Sequence, residues 1–230
     1  MYRYETHMHT LPVSKCARVS VREALEFYRE IGYAGVFITN HYVEAKTMPD
    51  ATFEERINYY FADYEEGVEI GKEIGIDVFL GLEISLKGTD FLVYGLDKEW
   101  FLSHPEIEEM KKSVMLPFLR ENGALVIQAH PFREAYYIDH IRLFPRCVDG
   151  VETYNASRKE FENRLALQYA ENYGLLTFAG SDNHVGRKKD KLGGLCFDTP
   201  LTSERDLVAR VKNGDINIFK LDNPYFSSEK

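Results

Sequence analysis

Three cysteines in 230 residues, Cys16, Cys147 and Cys196, are too few and too scattered for a disulfide framework. Stability must come from a packed core instead, and the scarcity of thiols fits a reducing compartment. No run reaches the roughly 18 apolar residues of a membrane span. The opening MYRYETHMHT lacks a basic segment leading into an apolar one, so no membrane contact is expected and a cytoplasmic location is. Positive charge is in deficit: 28 Lys and Arg face 37 Asp and Glu, and the formal charge of −9 argues against general affinity for nucleic acid. No Pro/Gly/Ser linker, low-complexity tract or internal repeat divides the chain, so one domain over residues 1–230 is expected.

Short runs rich in Val, Ile, Phe and Tyr alternate with amphipathic stretches, the pattern of strand–helix units around a mostly parallel sheet. Strands are expected at YRYETHMH, AGVFIT, DVFLGLEIS, DFLVYGL, ALVIQAH, DGVETYN and LLTFAGS, with weaker ones at GLCFD and INIFK. Capping boxes Ser20/Glu23, Thr52/Glu55 and Ser103/Glu106 start helices, and Gly32, Gly75 and Gly123 stop them. Phe161, Leu165, Tyr169 and Tyr173, four apart before Gly174, mark the apolar face of another helix. The fold class is α/β. The tail LDNPYFSSEK is polar, and its end is expected to fray.

Five of the seven histidines fall at or just past the end of an expected strand: His7, His9, His41, His130 and His184. Glu83 and Asp182 share that position. In a parallel barrel or open α/β sheet all strand ends lie on one face, so these side chains should converge. His7 and His9, two apart on a strand, point the same way and can grip one ion. Imidazole with carboxylate suits zinc, manganese or iron better than calcium. Seven such ligands exceed one tetrahedral site and imply two or three divalent ions sharing a carboxylate. His104 and His140, away from strand ends, read as ordinary structural or surface residues.

H-x-H at residues 7–9, then TNHY, GLEIS, AHPFR, VETYN and GSDNH, in this order, resemble the motifs of the PHP (polymerase and histidinol phosphatase) family of metal-dependent phosphoesterases. The resemblance runs from residue 5 to about residue 185. It implies a distorted TIM-like (β/α)7 barrel with a trinuclear metal centre at its C-terminal face. His7, His9, Glu83 and Asp182 would hold the first ion, Glu83 would bridge to a second that also takes His130, and His41 and His184 would hold a third. The family's further His or Asp after H-x-H is missing; Cys16 lies nearest, as a thiolate ligand or as a small buried apolar residue. Where many members carry a His after the bridging Glu, Asp90 stands here, as a ligand or a turn cap. Asn40 replaces the usual Asp and is expected to orient His41.

Clustered ions lower the pKa of bound water towards neutrality, giving a hydroxide nucleophile without a side-chain base. No Ser, Cys or Asp stands in a recognisable nucleophile context, which argues against a phospho-enzyme. Arg133, just after His130, is the first candidate for fork-like contact with phosphate, ahead of Arg18, Arg158 and the GRKK run at 186–189. Asn155 and Tyr154 could shape the pocket. A proton for the leaving group could come from His184, Asp182 or a water. The expected reaction is hydrolysis of a small-molecule phosphate monoester, histidinol-phosphatase-like. The alternatives are a phosphodiesterase or nuclease, a protein-tyrosine phosphatase, or a metal-binding module without catalysis.

Overall fold

The computed structural model describes residues 1–226. Seven strands, β1 (Tyr2–Met8), β2 (Gly35–Ile38), β3 (Asp77–Leu86), β4 (Thr89–Tyr94), β5 (Leu125–Ala129), β6 (Gly150–Asn155) and β7 (Leu176–Gly180), stand side by side in chain order. β8 (Lys191–Phe197) and β9 (Ile218–Asp222) extend the sheet beyond β1. All nine expected strands are present.

The sheet curls because β1 divides its outer edge. Tyr2, Arg3 and Tyr4 pair antiparallel with β8. Further along, His9 N donates to Asn183 O (2.9 Å) and Asn183 N to His7 O (3.2 Å), so the end of β1 meets the chain leaving β7 and nearly closes a barrel. An irregularity in β1 between Glu5 and Met8 makes this possible. Tyr4 faces the interior cluster with Phe37, Phe79, Tyr94 and Phe178, whereas Met8 packs with Leu25 and Tyr28 on the helix side. That shift of phase lets His7 point inward above Tyr4.

Four neighbouring pairs are parallel, β1–β2, β2–β3, β5–β6 and β6–β7. β4 runs antiparallel to both neighbours, because a tight turn with positive φ at Lys87 (49°) and Gly88 (81°) folds it back on β3. The sheet is thus less uniformly parallel than its alternating pattern suggests. One consequence concerns the site: β4 starts on the face where the parallel strands end, so Asp90 lies there.

Six helices, α1 (Val21–Glu30), α2 (Phe53–Ile74), α3 (Lys98–Ser103), α4 (Lys112–Glu121), α5 (Glu160–Tyr173) and α6 (Glu204–Lys212), accompany the strands. The capping boxes at Ser20/Glu23 and Thr52/Glu55 form, and Gly75 ends α2 in the left-handed region. The pair Ser103/Glu106 starts no helix: Ser103 closes α3, its hydroxyl donates to Trp100 O (2.8 Å), and Pro105 opens a short 3₁₀ turn. Asp97 caps α3 instead, accepting from Trp100 N (2.8 Å). On α5 the buried positions are Glu162, Ala166, Tyr169 and Ala170, so the expected stripe is only partly the core face; Phe161, Leu165 and Tyr173 are exposed. Among the described residues no helix is long and apolar enough to cross a membrane. Leu221 and Asp222 of the tail belong to β9, and residues 227–230 lie outside the described residues.

Candidate metal centre

The seven strand-end residues do meet. His7 Nε2 lies 3.3 Å from Glu83 Oε1 and 3.6 Å from Asp182 Oδ1; His9 Nε2 lies 3.4 Å from Glu83 Oε2 and 3.6 Å from the same Asp182 oxygen. His130 Nε2 is 3.3 Å from Glu83 Oε1, and His41 Nδ1 is 2.9 Å from Glu83 Oε2. His184 stacks on His9, ring centroids 4.1 Å apart. Three sets of donor atoms are mutually close: His7, His9 and Asp182; His7, Glu83 and His130; His9, His41 and His184.

Glu83 occupies the middle although it sits within β3 rather than at its end. β3 overshoots its neighbours, and at Glu83 it meets the end of β2: Glu83 N donates to Asn40 O (3.0 Å) and Tyr42 N to Glu83 O (2.8 Å). The loop carrying His41 is thereby stitched to the bridging carboxylate.

The donor set fits divalent cations on two observations. First, tetrahedral bonds of about 2.1 Å hold ligand atoms about 3.4 Å apart, and the spacings of 3.3–3.6 Å between these atoms match. Second, His7 Nε2, His9 Nε2, His41 Nδ1 and Glu83 Oε1 are buried without a hydrogen-bond partner. Orphaned buried polar atoms are costly, and four in one place ask for a common partner. The remote nitrogens of His7 and His9 are occupied, His7 Nδ1 meeting Glu152 Oε1 (2.9 Å) and His9 Nδ1 meeting Ser14 Oγ (3.2 Å), whereas His130 Nδ1 is buried without a partner. Such outer partners fix the tautomer that turns Nε2 inward.

The titrating groups respond to this crowding. Burial disfavours charge on His7, yet Glu152, Asp182 and Glu83 outweigh it and raise its pKa well above the imidazole range. His9, buried beside His184 and His41, is pushed well below it. Burial lowers His41, but the Glu83 charge and a hydrogen bond with Cys16 bring it up to about 11. Burial would raise Glu83 and Asp182, but the surrounding imidazoles hold both carboxyls below their usual range. Two members carry backbone strain: φ is 26° at His130 and 51° at Asp182, values rare outside glycine.

The remaining expected residues fall in several places. Cys16 lies at the mouth, where burial raises its thiol but hydrogen bonds with His184 and His41 draw it down to about 6; it joins none of the three close sets. Asp90 is 3.8 Å from His130 Nε2, and its Oδ2 forms an ion pair with Arg133 Nη2 at 2.9 Å, so the carboxylate is shared between the histidine side and the guanidinium. Arg133 Nη2 also donates to Gly88 O (3.2 Å). Asn40 does not orient His41: its side chain binds Thr10 N (2.7 Å), Thr10 Oγ1 (2.9 Å) and Asp63 Oδ2 (2.8 Å), pinning the loop after β1. Asn155 Nδ2 donates to Glu152 Oε2 (2.8 Å) and reaches Asp182 Oδ2 (3.4 Å). Tyr154 faces away, into a separate cleft with Arg158 and Lys220. Arg18 is exposed and touches the region through its backbone, N to His184 O at 2.7 Å. In the GRKK run Arg187 pairs with Glu30 and Lys189 with Asp190, away from the histidines. His104 stacks on Trp100 and His140 pairs with Asp139 on the surface.

Two buried carboxylates escaped the sequence reading. Glu152 supports His7 and, through Oε2, accepts from His130 N (3.1 Å). Glu5 fills the irregularity in β1, its Oε1 accepting from Thr6 N, His7 N and Ser181 N at 2.9–3.0 Å and its Oε2 from Tyr28 OH at 2.8 Å. Burial outweighs those four donors and raises its pKa to about 7. A lone acid inside an apolar strand, as in YRYETH and GVETYN, was the available signal.

Residues 160–216 match the PHP-associated family. Among solved structures, a two-domain protein from Bacteroides vulgatus containing a predicted PHP-like metal-dependent phosphoesterase is similar at 15% identity and a TM-score of 0.71, over 95% of this chain and 64% of that one. The chain shares the fold of that PHP-like protein, and its residues 160–216 match the PHP-associated family. It spans 64% of that two-domain relative. A candidate metal-dependent phosphoesterase from Bifidobacterium adolescentis shares this PHP-type fold at 14% identity and a TM-score of 0.58, over 91% of this chain and 95% of that one. PsfC from Pseudomonas syringae does so at 18% identity and 0.61, over 100% and 93%. No curated protein is a significant match in sequence.

Proposed function

We propose that this chain is a metal-dependent phosphoesterase that hydrolyses a phosphate monoester of a small molecule, in the manner of histidinol-phosphate phosphatases. The observation that carries the reading is the inward convergence of His7 Nε2, His9 Nε2, Glu83 and Asp182, with the far sides of both imidazoles already taken. Two relatives of the same fold are described as predicted or candidate metal-dependent phosphoesterases, which supports it. His7, His9, Glu83 and Asp182 would hold one ion, Glu83 with His130 a second, and His41 with His184 and Cys16 a third, from among zinc, manganese and iron.

Such ions, when bound, supply an acidified water and offset phosphoryl charge. The chain's own part is positional. Glu152 and Ser14 hold two imidazoles in one tautomer. Asp90 and Gly88 O anchor one end of the Arg133 guanidinium. Among the described residues its Nη1 has no hydrogen-bond or ion-pair partner and would be available to a phosphoryl oxygen. The formal charge of −9 disfavours a polynucleotide substrate.

The test is metal analysis of the purified protein followed by assay of an aryl phosphomonoester and an aryl phosphodiester with manganese or zinc. Monoester turnover that disappears on chelation is expected. Preference for the diester would transfer the reading to a phosphodiesterase, and bound ions with neither substrate hydrolysed would leave a metal-binding module.

A further inference from the structure

Beside the centre lies a cleft of about 620 Å³ between the segment after β1 and the segment between β2 and α2. Cys16 and His41 line it on the side of the histidine cluster, and Val13, Tyr42, Val43, Met48 and Tyr59 also line it. Val13, Tyr42 and Val43 also belong to the core cluster with Ile57 and Tyr60, so these walls are backed by packed side chains. The volume suits a small organic group, within the ~300–1,000 Å³ usual for such sites.

Most polar groups on the walls are already committed. Ser14 Oγ accepts from His41 N (2.9 Å) and meets His9 Nδ1 (3.2 Å). Tyr59 OH donates to Pro12 O (3.0 Å) and Thr47 Oγ1 to Glu44 O (2.7 Å). The Glu44 carboxylate is met by Lys46 (2.5 Å) and Lys112 (3.0 Å). Lys15, Ser85 and the Tyr42 hydroxyl, which has no partner among the described residues, remain. A sugar or polyol would bring many hydroxyls to walls with few free partners, whereas an apolar ring would exchange only water.

Orientation follows from Glu83. Its Oε1 lies beside His130, next to which Asp90 anchors Arg133; its Oε2 lies beside His41, where the cleft begins. A phosphoryl group reaching towards Arg133 therefore has its ester oxygen free to point into the cleft. Neither the cleft at Tyr154 and Lys220 nor the one at Tyr64 and Glu204 has a clustered histidine in its wall.

Building on the phosphomonoesterase reading, we infer that the alcohol of the substrate carries an apolar ring system, of one or two rings, seated against Tyr42, Val43 and Met48. The test compares naphthylethyl phosphate with ethyl phosphate on the manganese-loaded protein; both are esters of primary alcohols, so intrinsic leaving ability is matched. Ring burial, after binding costs, should favour the naphthyl ester about 30-fold in kcat/KM. Met48→Glu should cut that ratio to about threefold by setting a charge against the ring. A wild-type ratio near one, or a ratio unmoved by Met48→Glu, overturns the inference. If neither ester turns over, hydrolysis is refuted separately, and the matched phosphonates decide the cleft. Naphthylethylphosphonate should bind at least about tenfold tighter than ethylphosphonate, with the advantage lost in Met48→Glu; equal binding overturns the inference.

Discussion

Replacing Glu152 by glutamine tests the candidate centre at a residue outside the three close sets. The carboxylate is an acceptor on every side: Oε1 meets His7 Nδ1 at 2.9 Å, and Oε2 accepts from His130 N at 3.1 Å and Asn155 Nδ2 at 2.8 Å. Glutamine keeps the shape but turns one acceptor into a donor. If its amide nitrogen faces His7, Nδ1 must become the acceptor and the ring proton moves to Nε2. That atom lies 3.3 Å from Glu83 and 3.6 Å from Asp182 and then cannot bind a cation. If the nitrogen faces the other way, two buried donors lose their acceptor, at about 1–3 kcal/mol each. The first path loosens the ion held by His7 by about 10–100-fold, the usual penalty for losing a group that orients a ligand, and the second lowers stability. Calorimetric titration of metal-free Glu152→Gln and wild type with zinc or manganese reads the first effect, and urea unfolding in chelator reads the second. Affinity within about threefold of wild type, together with an unmoved urea midpoint, would refute the reasoning.

Glu83 approaches His7 and His130 with one oxygen and His9 and His41 with the other, so Glu83→Gln should loosen two ions together and lower kcat/KM by at least about 100-fold; full metal content with near-normal activity would remove it from the centre. Arg133→Ala should strand the buried Asp90 at a cost of about 3–5 kcal/mol, which Asp90→Asn in the same chain should largely restore. Both variants should keep a raised KM for phosphorylated substrates, and unchanged kinetics in the stable double variant would move the phosphate contact elsewhere. Glu5 titrates near 7 when folded and near 4.5 when unfolded, so the folded state holds the extra proton between these values and stability falls as pH rises through that window, by at most about 3 kcal/mol. Glu5→Gln should flatten that fall in urea midpoints measured at pH 5 and 7.5; parallel pH profiles for the two proteins would contradict it.

The strands were legible because apolar runs bounded by turn residues survive any arrangement of the sheet. Direction was not. Nothing in DFLVYGL says that β4 runs backwards, and the cue lay outside it, in the Lys87–Gly88 turn. The face of α5 was misread for a geometric reason. Positions four apart drift by about 40° per step around a helix, so a stripe from Phe161 to Tyr173 leaves the core at both ends, and only Tyr169 stays buried. Ser103 failed as a cap because Pro105 set the local geometry and Trp100 O took its hydroxyl. The meeting of the histidines was legible because strand ends share a face. Their supports were harder to read: Glu152 and Glu5 act through atoms that only the closed barrel brings near.

Where local rules break, they break around the same place. β1 loses its two-residue phase between Glu5 and Met8, His130 and Asp182 adopt positive φ, and Gly180 is small because a Cβ there would overlap His7 and sit 2.9 Å from Glu152 Oε1. Five carboxylates, Glu5, Glu83, Asp90, Glu152 and Asp182, are buried within or beside a cluster whose guanidinium, Arg133, is committed to one of them. Packing alone gives no reason to gather strain and buried charge at one end of a barrel, since each departure costs stability that an apolar mouth would keep. Protonating the imidazoles offsets part of that charge but leaves His9 neutral, because His184 and His41 crowd it. Divalent cations would satisfy the orphaned His7, His9 and Glu83 atoms and balance the carboxylates together. They account for the bulge, the glycine and the buried acids as parts of one site.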